Sequence, residues 1–109
     1  MTIDQHKSLV HESGKKLLDL GLVSGTWGNI SVRVDNNTMV ITPSGRKYEE
    51  VKPEEMVVVS LDDLSYDGPI KPSSEFKLHA EIYKTRQKVN AIIHTHQMNA
   101  STVAAARRE

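Results

Sequence analysis

The sequence contains no cysteine and only one tryptophan and one phenylalanine. Without cysteine the chain can form no disulfide bond and offers no thiolate to a metal ion, so any bound metal must rest on imidazole and oxygen ligands. Net charge is also missing, because 14 basic residues balance 14 acidic ones. Lysine and arginine are not clustered among aromatic residues, and we therefore expect no nucleic-acid partner.

Long hydrophobic runs are absent as well. No apolar stretch approaches the roughly 18 residues of a membrane-spanning helix, and residues 1–11 are too polar for the core of a signal peptide. We therefore expect a cytoplasmic protein without a membrane partner. With 109 residues, of which 38% are hydrophobic, the chain is long enough for one domain with its own core, residues 1–109.

Helix and strand patterns alternate along the chain. Apolar residues recur at helical spacing up to Leu18, and Gly21 follows at the position of a left-handed cap. Alternating residues on both sides of an Asp-Asn-Asn turn at 35–37 predict a hairpin. The predicted elements are a helix over 4–20, strands over 29–34, 39–42, 56–61 and 90–95, a helix capped by Ser73 or Ser74 that runs to Thr85 with Glu75 in its first turn, and a helix-prone segment over 99–108.

Three clusters of glycine, serine, threonine and asparagine stand at the boundaries of these elements, at residues 24–29, 42–45 and 72–74. Each offers backbone N–H groups or hydroxyls that can converge on an anion. The third cluster adds the positive end of a helix dipole, which favours phosphate. The alternative for each cluster by itself is a simple turn.

The apolar run at 91–93 leads into His94 and His96. Side chains two apart on a strand share a face, so these two imidazoles can meet at one divalent metal ion. The alternative is a pair of structural histidines. A third ligand would come from His6, His11, His79, a carboxylate or residues outside the chain. We expect His79 on the buried stripe of its helix, and His6 and His11 facing solvent.

Glu75 opens the second predicted helix. A carboxylate in a first helical turn complements the helix dipole, an effect of about 0.3 to 1 kcal/mol. The alternative is catalysis, because enolisation needs a base near an acidified carbon and a cation near the developing enediolate oxygen.

Four of these segments together resemble a known family. GTWGNISVR (25–33), ITPSG (41–45), PSSE (72–75) and His-Thr-His (94–96) occur in the order and spacing of class II sugar-phosphate aldolases of the fuculose-phosphate aldolase type. The resemblance covers nearly the whole chain. It implies an α/β fold with a mainly antiparallel central sheet flanked by helices.

The resemblance also implies a role for each motif. The substrate phosphate would be bound by Gly28, Asn29, Ser44, Gly45, Ser73 and Ser74, and zinc by His94 and His96, with Glu75 as the catalytic acid or base. In the family, zinc chelates the carbonyl and adjacent hydroxyl oxygens of a ketose phosphate and stabilises the enediolate during carbon–carbon cleavage. We therefore expect a zinc-dependent aldehyde-lyase that acts on a ketose 1-phosphate in carbohydrate metabolism.

Family members resembling this chain are longer. Their third zinc histidine lies beyond Glu109, and they form cyclic tetramers with active sites between subunits. The resemblance thus implies that the chain is the N-terminal part of such a domain, with one zinc ligand missing, and that it forms a homo-oligomer.

Three alternative functions are open within the same superfamily. One is a sugar-phosphate epimerase or dehydratase, although the epimerases resembling this chain carry aspartate where Glu75 stands. Another is a non-catalytic binding module like the adducin head, which has no need for Glu75, His94 and His96 together. The third is an inactive fragment of an aldolase.

Overall fold

The computed structural model of the chain describes residues 2–23 and 28–95. Two helices and four strands account for most of its regular structure. They are helix α1 (Ile3–Asp19), strands β1 (Asn29–Asp35), β2 (Thr38–Ile41) and β3 (Val57–Ser60), helix α2 (Phe76–Thr85) and strand β4 (Ala91–His94), with a short 3-10 helix over Pro53–Glu55. The predicted helix-prone segment at 99–108 lies outside the described residues.

The four strands form one antiparallel sheet with the order β3-β2-β1-β4. The predicted hairpin is its centre, since β1 pairs with β2 on one side and with β4 on the other. Pairing of β1 with β4 places Asn29 directly opposite His94. This register brings the end of β4 to the start of β1, so the first and the last of the four sequence motifs meet there. The predicted α/β fold with a mainly antiparallel sheet and flanking helices is confirmed.

The helices cover opposite faces of the sheet, because the side chains of each strand alternate between two cores. On one face Val10 of α1 is buried with apolar residues of the sheet and with Tyr48. On the other face Ala80 and Tyr83 of α2 are buried with a second apolar set. The sheet residues of the α1 face include Ile30, Val32 and Val40, and those of the α2 face include Met39, Ile41, Val57, Val59 and Ile92.

Helix α1 is closed at both ends by local hydrogen bonds. At its start Thr2 and Gln5 form a reciprocal capping box, in which each side chain accepts from the other residue's amide. At its end Gly21 has a positive φ of 76° and donates to the Leu18 carbonyl, while Leu22 donates to the Leu17 carbonyl. This is the Schellman arrangement, and it confirms the cap expected at Gly21.

Helix α2 begins later than predicted. Glu75 is its N-cap residue, and its side chain makes no capping hydrogen bond. The expected cap at Ser73 or Ser74 is therefore wrong, although the Glu75 amide lies 3.4 Å from the Ser73 hydroxyl oxygen. The physical reason is that Phe76 donates its amide to the Ser73 carbonyl in a turn before the helix starts. The Glu75 carboxylate contacts Asn29 and His94 of the sheet instead of capping the helix.

The histidines outside the motif agree only in part with expectation. His6 is only 8% exposed, and its Nδ1 donates to the Thr2 carbonyl at 2.8 Å, so the prediction that it faces solvent is wrong. His11 is half-buried with its Nε2 3.0 Å from the Val51 carbonyl oxygen. His79 is fully buried, as its place on the helical stripe predicts.

Neither helix of the described residues has the length and apolarity needed to cross a bilayer.

Candidate active site

Three turns singled out in the sequence lie side by side at one end of the sheet. Thr42 joins two of them, because its amide donates to the Ile30 carbonyl at 3.0 Å and its hydroxyl accepts from the Ile30 amide at 3.3 Å. The Thr42 carbonyl accepts from the Ser73 amide at 2.9 Å, which brings in the third turn. Next to this contact the Ser44 amide donates to the Lys71 carbonyl at 2.8 Å. Residues 28–30, 42–45 and 71–74 are therefore neighbours in the fold.

The donors of these turns differ in what they can offer a ligand. The amides of Ser44 and Ser73 are already hydrogen-bonded to backbone carbonyls. Either residue would therefore reach an anion through its hydroxyl. Ser44, Gly45 and Ser74 are exposed, whereas Ser73 is 8% exposed. Part of the first cluster, residues 24–27, lies outside the described residues.

At Gly28 the first of these turns approaches the end of β4. Its φ is +94°, in the region that side chains rarely adopt. A β-carbon here would lie 2.7 Å from Val23 Cγ1 and 3.2 Å from the His94 carbonyl oxygen. Only glycine therefore allows the turn to approach the His94 backbone this closely.

Glu75, Asn29 and His94 meet where the three turns end. The Asn29 Nδ2 donates to Glu75 Oε1 at 3.1 Å, and His94 Nδ1 is in hydrogen-bond contact with the same oxygen. Asn29 is 3% exposed, and the Glu75 and His94 side chains are 32% and 17% exposed. The carboxylate thus lies at the boundary between the core and solvent, where a small molecule can reach it. Both ends of the Asn29 amide are used within the protein, since Oδ1 contacts His79 Nε2.

A row of buried polar groups continues from Asn29 into the interior. His79 Nδ1 lies 2.7 Å from Ser31 Oγ, and the same oxygen lies 2.7 Å from the Tyr83 hydroxyl. His79 and Ser31 are both 0% exposed, and Tyr83 is 1% exposed. Burial lowers the pKa of His79 to about 4, an effect that the Glu75 carboxylate partly offsets. Burial also raises the pKa of Tyr83 above its usual value, so both groups are neutral at pH 7.

These residues form two parallel rows, which we call the polar ladder. One row is Asn29, Ser31 and Arg33 on β1. The other is Glu75, the N-cap of α2, with His79 and Tyr83 on α2. Two strand residues rise about 6.6 Å and four helix residues rise about 6.0 Å, so the rows stay in register over three rungs. Ordinary backbone geometry therefore positions Glu75 opposite Asn29.

Arg33 lies at the end of the polar ladder opposite Glu75. Its guanidinium donates to the Val89 carbonyl at 3.0 Å and to the Tyr83 and Arg86 carbonyls at 2.9 and 3.1 Å. It also lies 4.8 Å from the centre of the Tyr83 ring. A cation at the carboxyl end of α2 satisfies carbonyls that the helix leaves unpaired and complements its dipole. Arg33 therefore fixes α2 against β1.

The donor chemistry at His94 suits a metal ion. Its Nδ1 faces the Glu75 carboxylate, an arrangement that holds the Nδ1–H tautomer and leaves the lone pair on Nε2. Such a carboxylate–histidine pair is common where imidazole binds zinc. The second predicted ligand, His96, lies outside the described residues. Within residues 2–23 and 28–95 no three His, Asp or Glu side chains are grouped so as to hold a metal.

The sequence interpretation missed the inner part of the polar ladder. From the sequence, His79 is one of several candidates for a third metal ligand and is expected on a buried stripe, whereas Ser31 and Tyr83 have no role of their own. A signal was present, because the polar residues 29, 31 and 33 alternate along a strand whose first four residues are buried. Buried polar side chains need hydrogen-bond partners, and His79 and Tyr83 offered them at the matching spacing.

The chain is similar to aldolases over most of its length. It is 39% identical over 106 residues to 5-deoxy-D-ribulose 1-phosphate aldolase of Bacillus thuringiensis serovar kurstaki, covering 96% of this chain and 50% of that protein. Its structure matches an L-fuculose 1-phosphate aldolase with a TM-score of 0.78 and 38% identity, covering 86% of this chain and 45% of the other. L-fuculose-1-phosphate aldolase from Thermus thermophilus matches with a TM-score of 0.65 and 34% identity, over 82% and 43% of the two chains.

The chain thus spans about half the length of these relatives. The family model for the class II aldolase and adducin N-terminal domain matches residues 8–109, which is most of the sequence. The same residues include the turns, the carboxylate and the histidine described above. The chain therefore belongs to the class II aldolase and adducin N-terminal domain family.

Proposed function

We propose that the protein acts as a zinc-dependent aldehyde-lyase that cleaves a ketose 1-phosphate resembling fuculose 1-phosphate by a retro-aldol reaction. The observation that carries the proposal is the meeting of Glu75, Asn29 and His94 beside three adjoining turns. Similarity to aldolases acting on 5-deoxyribulose 1-phosphate and fuculose 1-phosphate supports the substrate class.

The turns are assigned to the substrate phosphate. Ser44, Gly45 and Ser74 are exposed, and the Ser73 hydroxyl lies next to them at the start of α2. Hydroxyls and amides before a helix N-terminus favour an anion because the helix dipole is positive there. Gly28 and Asn29 complete the assignment, with the Asn29 side chain held in place by Glu75 and His79.

Glu75 is assigned as the acid and base. Retro-aldol cleavage breaks the bond between the carbon beside the carbonyl and the carbon bearing the departing aldehyde oxygen. The hydroxyl on the departing carbon loses its proton as it becomes the aldehyde, and the phosphate-bearing fragment must gain a proton at the carbon beside its carbonyl. Glu75 takes up the first proton as a carboxylate and supplies the second as a carboxyl group. In the direction of synthesis, the carboxylate removes that same proton.

His94 and His96 are assigned as zinc ligands, with Nε2 of His94 as the nitrogen that binds. When bound, zinc would supply the positive charge that stabilises the enediolate and makes the neighbouring carbon more acidic. Glu75 accepts the hydrogen bond from His94 Nδ1 and so fixes the imidazole in the tautomer that binding requires.

The proposal also includes a cytoplasmic homo-oligomer, as in tetrameric members of the family. β3 and β4 lie at the two edges of the described sheet, and an edge strand can pair with further chain. Light scattering on the purified protein tests the assembly, and a monomer at all concentrations would refute this part.

The function is tested by a coupled assay for aldehyde release from ketose 1-phosphates with zinc present. Glu75→Gln keeps the shape of the side chain but cannot transfer the proton, and should lower kcat by about 100-fold or more. Glu81→Gln is the matched control, because Glu81 is an exposed carboxylate on the same helix. Undiminished turnover by Glu75→Gln would refute the assigned base. No cleavage of any ketose 1-phosphate by the wild-type protein would refute the function.

A further inference from the structure

The hydrogen bonds of the polar ladder run in one direction. The Asn29 NH₂ group donates to Glu75 Oε1. The other end of the Asn29 amide, Oδ1, is then an acceptor and needs a donor. His79 Nε2 is the partner of this oxygen, and it must therefore carry hydrogen.

The same reasoning continues through the imidazole. His79 is neutral, so a hydrogen on Nε2 leaves Nδ1 as an acceptor, and the Ser31 hydroxyl must donate to it. Ser31 then accepts from the Tyr83 hydroxyl. Each hydrogen bond then has one defined donor and one defined acceptor, in an order that runs from the Tyr83 hydroxyl to the Glu75 carboxylate. A buried network in which every member is satisfied has one preferred arrangement.

Glu75 needs such support, because its side chain makes no cap hydrogen bond to α2 and is 32% exposed. Its Oε1 contacts Asn29 and His94. Of these two, Asn29 is also hydrogen-bonded through its Oδ1 to the buried His79. The orientation of the carboxylate therefore depends on a residue that does not touch it.

We propose that His79 is a positioning residue, whose Nε2–H holds the Asn29 amide so that its NH₂ group fixes the Glu75 carboxylate for proton transfer. The inference rests on the proposed function for its catalytic consequence, while its structural part can be measured without any turnover. Among the described residues, His79 makes no hydrogen bond to an assigned metal ligand, and of the residues assigned to phosphate its side chain contacts only Asn29. Its effect therefore passes through Asn29.

Two substitutions at residue 79 separate positioning from packing. In His79→Gln the side-chain amide nitrogen reaches about as far as Nε2 and can still donate to Asn29. In His79→Asn the amide is shorter, so it can accept from Ser31 but cannot reach Asn29. The asparagine variant should lower kcat by about 10- to 100-fold with little change in KM, as expected when support behind a catalytic group is lost. The glutamine variant should restore kcat to within a few-fold of wild type.

NMR of the full chain supplies the readout that is independent of activity. Ring nitrogen shifts of wild-type His79 should show the neutral Nε2–H tautomer. The Asn29 side-chain NH₂ should exchange slowly with water in wild type and in His79→Gln, and quickly in His79→Asn. The wild-type measurement decides the tautomer even if a variant fails to fold.

The outcomes are distinguishable. An Nδ1–H tautomer of His79, or equal loss of kcat in two variants of equal melting temperature, would overturn the inference. If the wild-type protein cleaves no ketose 1-phosphate, the proposed function fails, and Asn29 exchange then decides whether His79 fixes the amide. Loss of kcat and of Asn29 protection in His79→Asn, both restored in His79→Gln, supports the inference.

Discussion

Acid should destabilise this protein through His79 in particular. Burial lowers the pKa of His79 from 6.5 to about 4 in the folded state. In the unfolded chain the imidazole regains its ordinary pKa, so below pH 6.5 the unfolded state binds a proton that the folded state does not. The stability contributed by the neutral imidazole is therefore complete above that pH and is lost progressively as the pH falls to about 4.

The expected loss follows from the size of the shift. Each pKa unit corresponds to about 1.4 kcal/mol, so a fall from 6.5 to about 4 corresponds to about 3 kcal/mol of unfolding free energy. This is a large fraction of the roughly 5 to 15 kcal/mol typical of a whole domain. The charged or titratable groups around the imidazole are Glu75, His94, Tyr83 and Arg33. These groups are present in both wild type and His79→Gln. The difference in unfolding free energy between the two proteins therefore cancels most of their contribution to the pH dependence.

The assay is urea unfolding followed by far-ultraviolet circular dichroism at a series of pH values. Between neutral pH and about pH 4, wild type should lose about 3 kcal/mol more stability than His79→Gln. Tyr83→Phe is the matched control, because it removes a hydroxyl from the same polar ladder and leaves the imidazole in place. It should keep the wild-type pH dependence at a lower overall stability. Parallel pH profiles for wild type and His79→Gln would refute the reasoning.

Two further predictions concern the supports of the site. Gly28→Ala should destabilise the fold by about 2 to 4 kcal/mol, from left-handed strain and a clash with Val23, measured by urea unfolding. Adding Val23→Ala should recover only part of this loss, because φ and the His94 carbonyl are unchanged; full recovery would contradict the strain argument. Arg33→Met should cost about 2 to 3 kcal/mol, since three carbonyls near the end of α2 lose their donor. Arg33→Lys should recover less than half, because ammonium lacks the planar fork, and equal melting temperatures of Arg33→Lys and wild type would argue against this role.

The fold could be predicted from the sequence because its elements have strong periodic signals. The stripe that ends at Leu18 and the cap at Gly21 predict α1 closely, and the observed helix is Ile3–Asp19. The hairpin of β1 and β2 is marked by alternation on both sides of an Asn-rich turn. The start of α2 was misplaced, because two serines before a helix suggest a cap, whereas a turn through the Ser73 carbonyl delays the helix.

The site was predictable only in part. The motifs identify Glu75, His94 and the turns, and their meeting in the fold follows from β1 pairing with β4. The hydrogen bonds from Asn29 inwards were not predicted, because they depend on which face of β1 lies against α2. Strand alternation alone does not decide that choice, since both faces of this sheet are covered. The assignments to phosphate and zinc remain predictions, and His96 lies outside the described residues.

The matched rise of the two rows in the polar ladder limits which length changes homologous chains can tolerate. One residue inserted within β1 would move the following side chains to the opposite face of the sheet. One residue inserted within α2 would rotate the next turn by about 100° and separate His79 from its partners. Insertions at the exposed turn over 67–69 would disturb neither row. Related sequences should therefore have no insertions or deletions within residues 29–33 and 75–83, whereas the length of the segment between these two ranges can vary.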